Sequence, residues 1–124
     1  MLPCFVLEEV TLREPGESAA LDLGGAFPQD LTLTLRITHA VERSTLHLDV
    51  LGSEDGQKWH RKPLAAFAAK NYCGSYEAHC FDNRFRYWKA VWRVTGGAKD
   101  GAKPLFELSL SVSRPQMKAM AGAA

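Results

Sequence analysis

The chain has 124 residues and a formal net charge of +1, because 15 Lys and Arg residues nearly balance 14 Asp and Glu residues. This length indicates a single domain that can bury a sufficient core without metal ions or disulfides. The balanced charge argues against nucleic-acid binding, which depends on surplus positive charge. No apolar run reaches the roughly 20 residues that a membrane-spanning helix needs.

Alternation of apolar and polar residues dominates the chain and predicts β-strands. The clearest strand covers 31–38, where one face is formed by Leu31, Leu33, Leu35 and Ile37. The same period predicts strands over 45–50 and 106–113. Weaker patterns predict strands over 6–13, 19–23 and 75–81.

The stretch 84–94 is more apolar than the others and predicts a long central strand. Its inward face is predicted to carry Trp88, Ala90, Trp92 and Val94. The opposite face carries Phe85, Tyr87, Lys89, Val91 and Arg93. Aromatic residues mixed with basic residues are typical of a sandwich core beside a solvated face, and also of binding surfaces.

Turn signals separate these strands about every ten residues, as in all-β sandwiches and barrels. They lie at 15–18, 24–30, 54–56, 82–83 and 96–104. The segment 63–70 contains good helix formers after a proline, and it is either one short helix or a strand followed by a loop. The domain is predicted to cover 1–113, with a flexible tail over 114–124.

Three cysteines, Cys4, Cys73 and Cys80, make a disulfide framework improbable, although Cys73 and Cys80 could pair from neighbouring strands. Free thiols in a reducing compartment are the alternative. The first residues lack the basic and apolar regions of a signal peptide, so we expect a cytoplasmic or virion-associated protein.

Metal-binding residue types occur close together at Cys73, His79, Cys80 and Asp82. Their spacing lacks the two ligand pairs of a structural zinc site, and on a strand His79 and Cys80 would point to opposite faces. No motif places a nucleophile beside a base or a helix N-terminus. We therefore expect no metal, no cofactor, no catalytic residues and no enzymatic activity.

Three short motifs occur in a recognisable order: Leu-Asp-Leu-Gly at 21–24, Ser-x-Asp-Gly-x-x-Trp at 53–59 and Arg-Tyr-Trp-Lys at 86–89. Together they resemble the discoidin-like, galactose-binding-like domains and, more closely, short domains of phage and prophage structural proteins. The resemblance implies an all-β fold: a single antiparallel β-sandwich of jelly-roll type, with about eight strands and at most one short helix.

In this pattern Asp55 and Gly56 close a turn, Trp59 covers the neighbouring sheet edge, and Arg86 binds the turn or a terminal carbonyl. The chain lacks the terminal cysteine pair of secreted discoidin-like domains, so no lectin-like loop residue is transferred to it. The motifs indicate architecture more than function.

The fold class and the resemblance favour a non-enzymatic structural or assembly module that associates with itself or with a protein partner. The alternative is a module that binds a carbohydrate or another ligand. Either role requires a binding surface, and the candidate residues are Tyr72, Tyr76, Phe85, Tyr87, Lys89 and Arg93. The exposed face of the strand over 84–94 is the predicted interface.

Overall fold

The computed structural model describes residues 4–24, 29–41, 44–96 and 104–114, except for the side chains of Ala68 and Ala69. The described chain forms nine strands: β1 (Cys4–Leu12), β2 (Gly16–Glu17), β3 (Leu21–Asp22), β4 (Gln29–Ala40), β5 (Ser44–Ser53), β6 (Ala65–Lys70), β7 (Gly74–Asn83), β8 (Tyr87–Gly96) and β9 (Phe106–Ser113). None of the ranges above contains a helix of the length and apolarity that crossing a bilayer requires.

The strands form two antiparallel sheets. The four-stranded sheet has the order β1-β9-β4-β7, and the five-stranded sheet has the order β2-β8-β5-β6 with β3 also paired to β8. Early strands therefore pair with late ones: β1 with β9, β3 with β8, β4 with β7 and β5 with β6. This rolled arrangement is a jelly roll, so the predicted fold class is confirmed.

The core lies between the two sheets and follows the period of two in the sequence. The inward residues of β4 are fully buried, as are those of β5 and β9, and they include Leu33, Leu35, Leu46, Leu48 and Leu110. Polar residues alternate with them and face solvent, since successive side chains of a strand point to opposite faces. These strands were all predicted from that alternation.

Of the two alternatives for the segment over 63–70, the strand is confirmed and the helix is not, because Ala65–Lys70 forms β6 and pairs with β5 along the edge of the five-stranded sheet. Elsewhere two predicted elements differ from the structure. The predicted strand over 19–23 and the turn over 15–18 become two short pairings, β2 and β3, against β8. Between them, Ser18 binds β8 through its backbone N–H to the Ala90 carbonyl at 2.8 Å.

The predicted long strand over 84–94 begins later, at Tyr87, so Phe85 precedes β8. Its inward face is confirmed at Trp88, Ala90 and Val94, which are buried. Trp92 is only half-buried, because its indole reaches the sheet edge, where its Nε1 donates to the Glu14 carbonyl at 3.0 Å.

Cys73 and Cys80 are free thiols, the first exposed and the second buried. Burial raises the pKa of the Cys80 thiol. His79 is exposed beside it, in agreement with the predicted opposite orientation of these neighbours. The predicted tail beyond residue 114 lies outside the described residues, as do parts of the turns predicted at 24–30 and 96–104.

Candidate functional site

The six candidate residues lie in three separate places and not on one surface. Tyr72 and Tyr76 lie at the corner between β6 and β7, and Phe85 lies in the connection between β7 and β8. The outer face of the five-stranded sheet carries Tyr87, Lys89 and Arg93.

The loop over 54–64 folds back over the outer face of the five-stranded sheet. Its first turn is organised by Asp55, whose Oδ1 accepts hydrogen bonds from the backbone N–H groups of Gln57 at 2.8 Å and Lys58 at 2.9 Å and from the Ser53 hydroxyl at 3.0 Å. These donors stabilise the carboxylate and lower the pKa of Asp55 to about 2. Gly56 then lies over the Tyr87 ring, with the positive φ of 80° predicted for this turn.

Lys89 is held in the same region by two contacts. Its Nζ donates to Glu17 Oε2 at 3.1 Å and lies 4.6 Å from the centroid of the Trp59 ring. Tyr87, Lys89 and Val91 are half-buried, and only Arg93 of this row is exposed. The chain's own loop therefore reduces the open apolar area of the predicted interface.

Arg86 makes a contact that the sequence analysis did not identify. Its Nε and one terminal nitrogen donate to the two carboxylate oxygens of Asp22 at 2.8 and 2.9 Å. The partner of Arg86 is therefore the Leu-Asp-Leu-Gly motif, and not the Asp55 turn or a terminal carbonyl. This charge-assisted pair, together with the Gly24 N–H, lowers the pKa of Asp22.

Phe85 closes one end of the sandwich. Its ring lies so close to Gly52 that a Cβ added there would be 2.7 Å from Phe85 Cγ, and its centroid is 4.5 Å from that of His60. The backbone of Phe85 is fixed by Asn83, whose amide donates to the Phe85 carbonyl and accepts from its N–H. These contacts give Phe85 a packing role.

The corner between β6 and β7 exposes an aromatic side chain. Tyr72 is 77% exposed, and its carbonyl accepts a hydrogen bond from the Tyr76 hydroxyl at 2.9 Å. Lys70 Nζ lies 4.4 Å from the centroid of the Tyr76 ring. Together these contacts hold the Tyr72 backbone just before β7 begins.

A second exposed aromatic lies near the other end of β7. Phe81 is 70% exposed and stacks on His79, with ring centroids 5.9 Å apart. A hydrogen bond of 3.1 Å joins His79 Nδ1 to the Thr32 hydroxyl on β4. The described ranges expose three large hydrophobic residues. Two of them, Tyr72 and Phe81, lie near opposite ends of β7.

Phe81 was not among the predicted site residues, although the pattern of β7 contained the signal. Tyr76, Ala78 and Cys80 form its inward face, so Phe81 is in phase with the outward polar residues. An aromatic residue on a polar face has no core to fill. That criterion would have selected Phe81 before Phe85.

The residues described here contain no group of three His, Cys, Asp or Glu side chains arranged to hold a metal ion. Comparison with known proteins found no matching family model, curated protein or solved structure.

Proposed function

We propose that this protein is a non-enzymatic assembly module that associates with further copies of itself through the outer edge of β7. The observation that carries the proposal is the form of this edge. No strand in the described ranges pairs with it, and its backbone groups can accept another strand.

Short length, lysine, proline and bulges usually prevent edge pairing, and most of the β7 edge lacks them. Its one register shift lies at the end of the strand, between Cys80 and Asn83, where Asp82 has a φ of 56°. The strand has ten residues, with neither Lys nor Pro among them. Its register with β4 is regular from Gly74 to Cys80. The other edges offer shorter regular stretches, because β2 and β3 have two residues each, β1 shifts register twice, and the six-residue β6 has a shift within its pairing with β5.

Side-chain complementarity favours a second copy of this chain as the partner. In an antiparallel pair of β7 strands with the twofold axis at Ala78, Glu77 lies opposite the partner's His79, whose ring N–H can donate to the carboxylate, and the contact occurs twice. A twofold axis at Glu77 would instead oppose two carboxylates, which is unfavourable. Isologous contacts of this kind are the commonest route to homodimers.

The flanking aromatics provide the apolar contact area that a strand pair alone lacks. Tyr72 and Phe81 are both more than two-thirds exposed, at 77% and 70%. Aromatic residues are enriched at the centres of protein interfaces. The resemblance to phage and prophage structural proteins, which are assembled from repeated copies, agrees with this role.

The test is sedimentation velocity of the wild-type chain over the micromolar range, compared with Glu77→Lys and Glu8→Lys. Both variants reverse one exposed glutamate on an edge strand of the same sheet, so they are matched in charge. We expect a dimer or larger oligomer for the wild type. Glu77→Lys should weaken it at least tenfold, and Glu8→Lys should leave it unchanged.

A wild-type monomer throughout that range would reject self-assembly. Equal weakening by both variants would reject the β7 edge as the interface, because it would indicate a general effect of charge. Circular dichroism of each variant shows whether the β-sheet spectrum is retained, so that loss of fold is not mistaken for loss of association.

A further inference from the structure

A polar groove crosses the outer face of the four-stranded sheet. It consists of two adjoining hollows of about 490 and 400 Å³. Both are lined by Glu9, Arg36 and Ser109, so they form one continuous depression. On β9 it extends from Glu107 to Ser111, about 13 Å along the strand.

Strand β1 forms a wall of this groove because its register shifts twice, between Phe5 and Leu7 and again between Leu7 and Val10. As a result Glu8 and Glu9, neighbours in the sequence, are both exposed and both line the groove. Glu9 has a φ of 43°, in the left-handed region that non-glycine residues avoid. Bulges and strained residues of this kind are concentrated at binding sites, where they redirect side chains.

The floor of the groove is built from groups that form hydrogen bonds. Arg36 lies at its centre, is exposed, and makes no ion pair with any residue in the described ranges. Hydroxyl groups surround it, contributed by Thr34, Thr38, Ser75, Ser109 and Ser111. One end of the groove carries Phe5, which is 46% exposed.

The charges of the lining disfavour anionic ligands. Glu8, Glu9 and Glu107 contribute three carboxylates against the single guanidinium of Arg36. An anionic ligand would be repelled, whereas a neutral polyol can donate to the carboxylates and accept from Arg36. The Phe5 ring offers an apolar face to the C–H side of a sugar ring.

We propose that this groove binds a neutral oligosaccharide, with Arg36 and Glu9 as its central polar contacts. This function goes beyond self-assembly, because the groove lies on the outer face of the sheet, where Ser75 of β7 lines it, and not along the backbone edge of β7. It is therefore expected in the monomer as well as in the assembled form.

The test is a titration of ¹⁵N-labelled Glu77→Lys protein, in which the β7 edge is blocked, followed by NMR. The probes are cellohexaose, xylohexaose, mannohexaose and maltohexaose, with a sulfated heparin hexasaccharide as the anionic control. We expect saturable shifts at Thr34, Arg36 and Ser109 with at least one neutral probe and none with heparin.

Arg36→Ala should weaken that binding at least tenfold, because it removes the central donor. Arg93→Ala is the matched control, an exposed arginine on the outer face of the other sheet, and should bind as before. Absence of shifts with every neutral probe would overturn the proposal. Equal loss in both arginine variants, or preference for heparin, would also overturn it.

Discussion

The two edge strands of the four-stranded sheet have similar lengths but differ in the regularity of their pairing. Strand β1 has nine residues, two register shifts and a left-handed Glu9, and its acidic residues face a groove. Strand β7 has ten residues, with a regular register from Gly74 to Cys80 and aromatic residues near both ends. Two register shifts bend β1 away from pairing with another chain. β7 shifts once, between Cys80 and Asn83, where Asp82 has a φ of 56°, and keeps a regular register over the rest of its length.

On the two proposals made above, one sheet would separate two kinds of contact. A bulged edge redirects side chains and suits a small ligand, while a regular edge offers backbone groups to another strand. A different tryptophan of β8 also forms a hydrogen bond near each of these edge strands. Trp88 Nε1 donates to Asn83 at the end of β7, at 3.3 Å, and Trp92 Nε1 donates to Glu14 just after β1.

The largest expected effect on folding stability comes from removing Trp88, the tryptophan that donates to Asn83 at the end of β7. Trp88 is completely buried, so Trp88→Ala should lower the free energy of unfolding by about 3–5 kcal/mol. Trp92 is half-buried, and Trp92→Ala should cost less, about 1–2 kcal/mol. Urea denaturation of the two variants measures both values. A loss for Trp92→Ala equal to that of Trp88→Ala would contradict the partial exposure of Trp92.

A smaller effect, of opposite sign, is expected at the β1 edge. Glu9→Gly relieves the left-handed backbone strain, and it should raise the free energy of unfolding by about 0.5–1 kcal/mol. Glu8 lies in the same strand without a positive φ, so Glu8→Gly should destabilise the protein by a similar amount. The same Glu9→Gly variant should bind neutral oligosaccharide more weakly. Destabilisation by both substitutions would show that the Glu9 conformation carries no strain.

The smallest effect concerns the loop over the five-stranded sheet and should leave both β1 and β7 unchanged. The pKa of Asp55 is lowered from 3.8 to about 2, so the carboxylate stabilises the folded state above pH 3.8. This contribution is lost as the pH falls from 3.8 towards 2.

We therefore expect Asp55→Asn to melt at a lower temperature than the wild type at neutral pH. The difference should shrink as the pH falls, and thermal melts monitored by circular dichroism across this range measure it. A constant difference at every pH would mean that the lowered pKa does not contribute to folding stability. The oligomeric state of Asp55→Asn should match that of the wild type.

The alternating strands could be predicted from the sequence because burial of one face leaves a period of two. This holds for β4, β5 and β9 and for most of the inward face of β8. The short strand β3 lies within the strand predicted over 19–23. β2 lies in the predicted turn over 15–18 and was not predicted, since Gly16–Glu17 is held by β8 and not by a local pattern. β6 forms a strand despite its helix-forming composition, because it pairs with β5.

The candidate sites were less predictable than the fold. Adjacent acids at Glu8 and Glu9 interrupt the alternation of β1, and this was the available sign of a bulge. The groove depends on which strands become neighbours, because Arg36 on β4 and Ser109 on β9 meet only through the sheet. Hydroxyl residues on a solvent face look ordinary in sequence, so nothing distinguished this face from others.

The rolled pairing of early with late strands determines when a growing chain can fold during synthesis. The hairpin of β5 and β6 closes the shortest loop between partners, so we expect it to form first, followed by pairing outwards to β8 and β7. Strand β9 lies between β1 and β4, and these two strands remain unpaired on that side until it leaves the ribosome. The core residues that β9 contributes, Phe106, Leu108, Leu110 and Val112, are therefore added last, and the core stays incomplete until then.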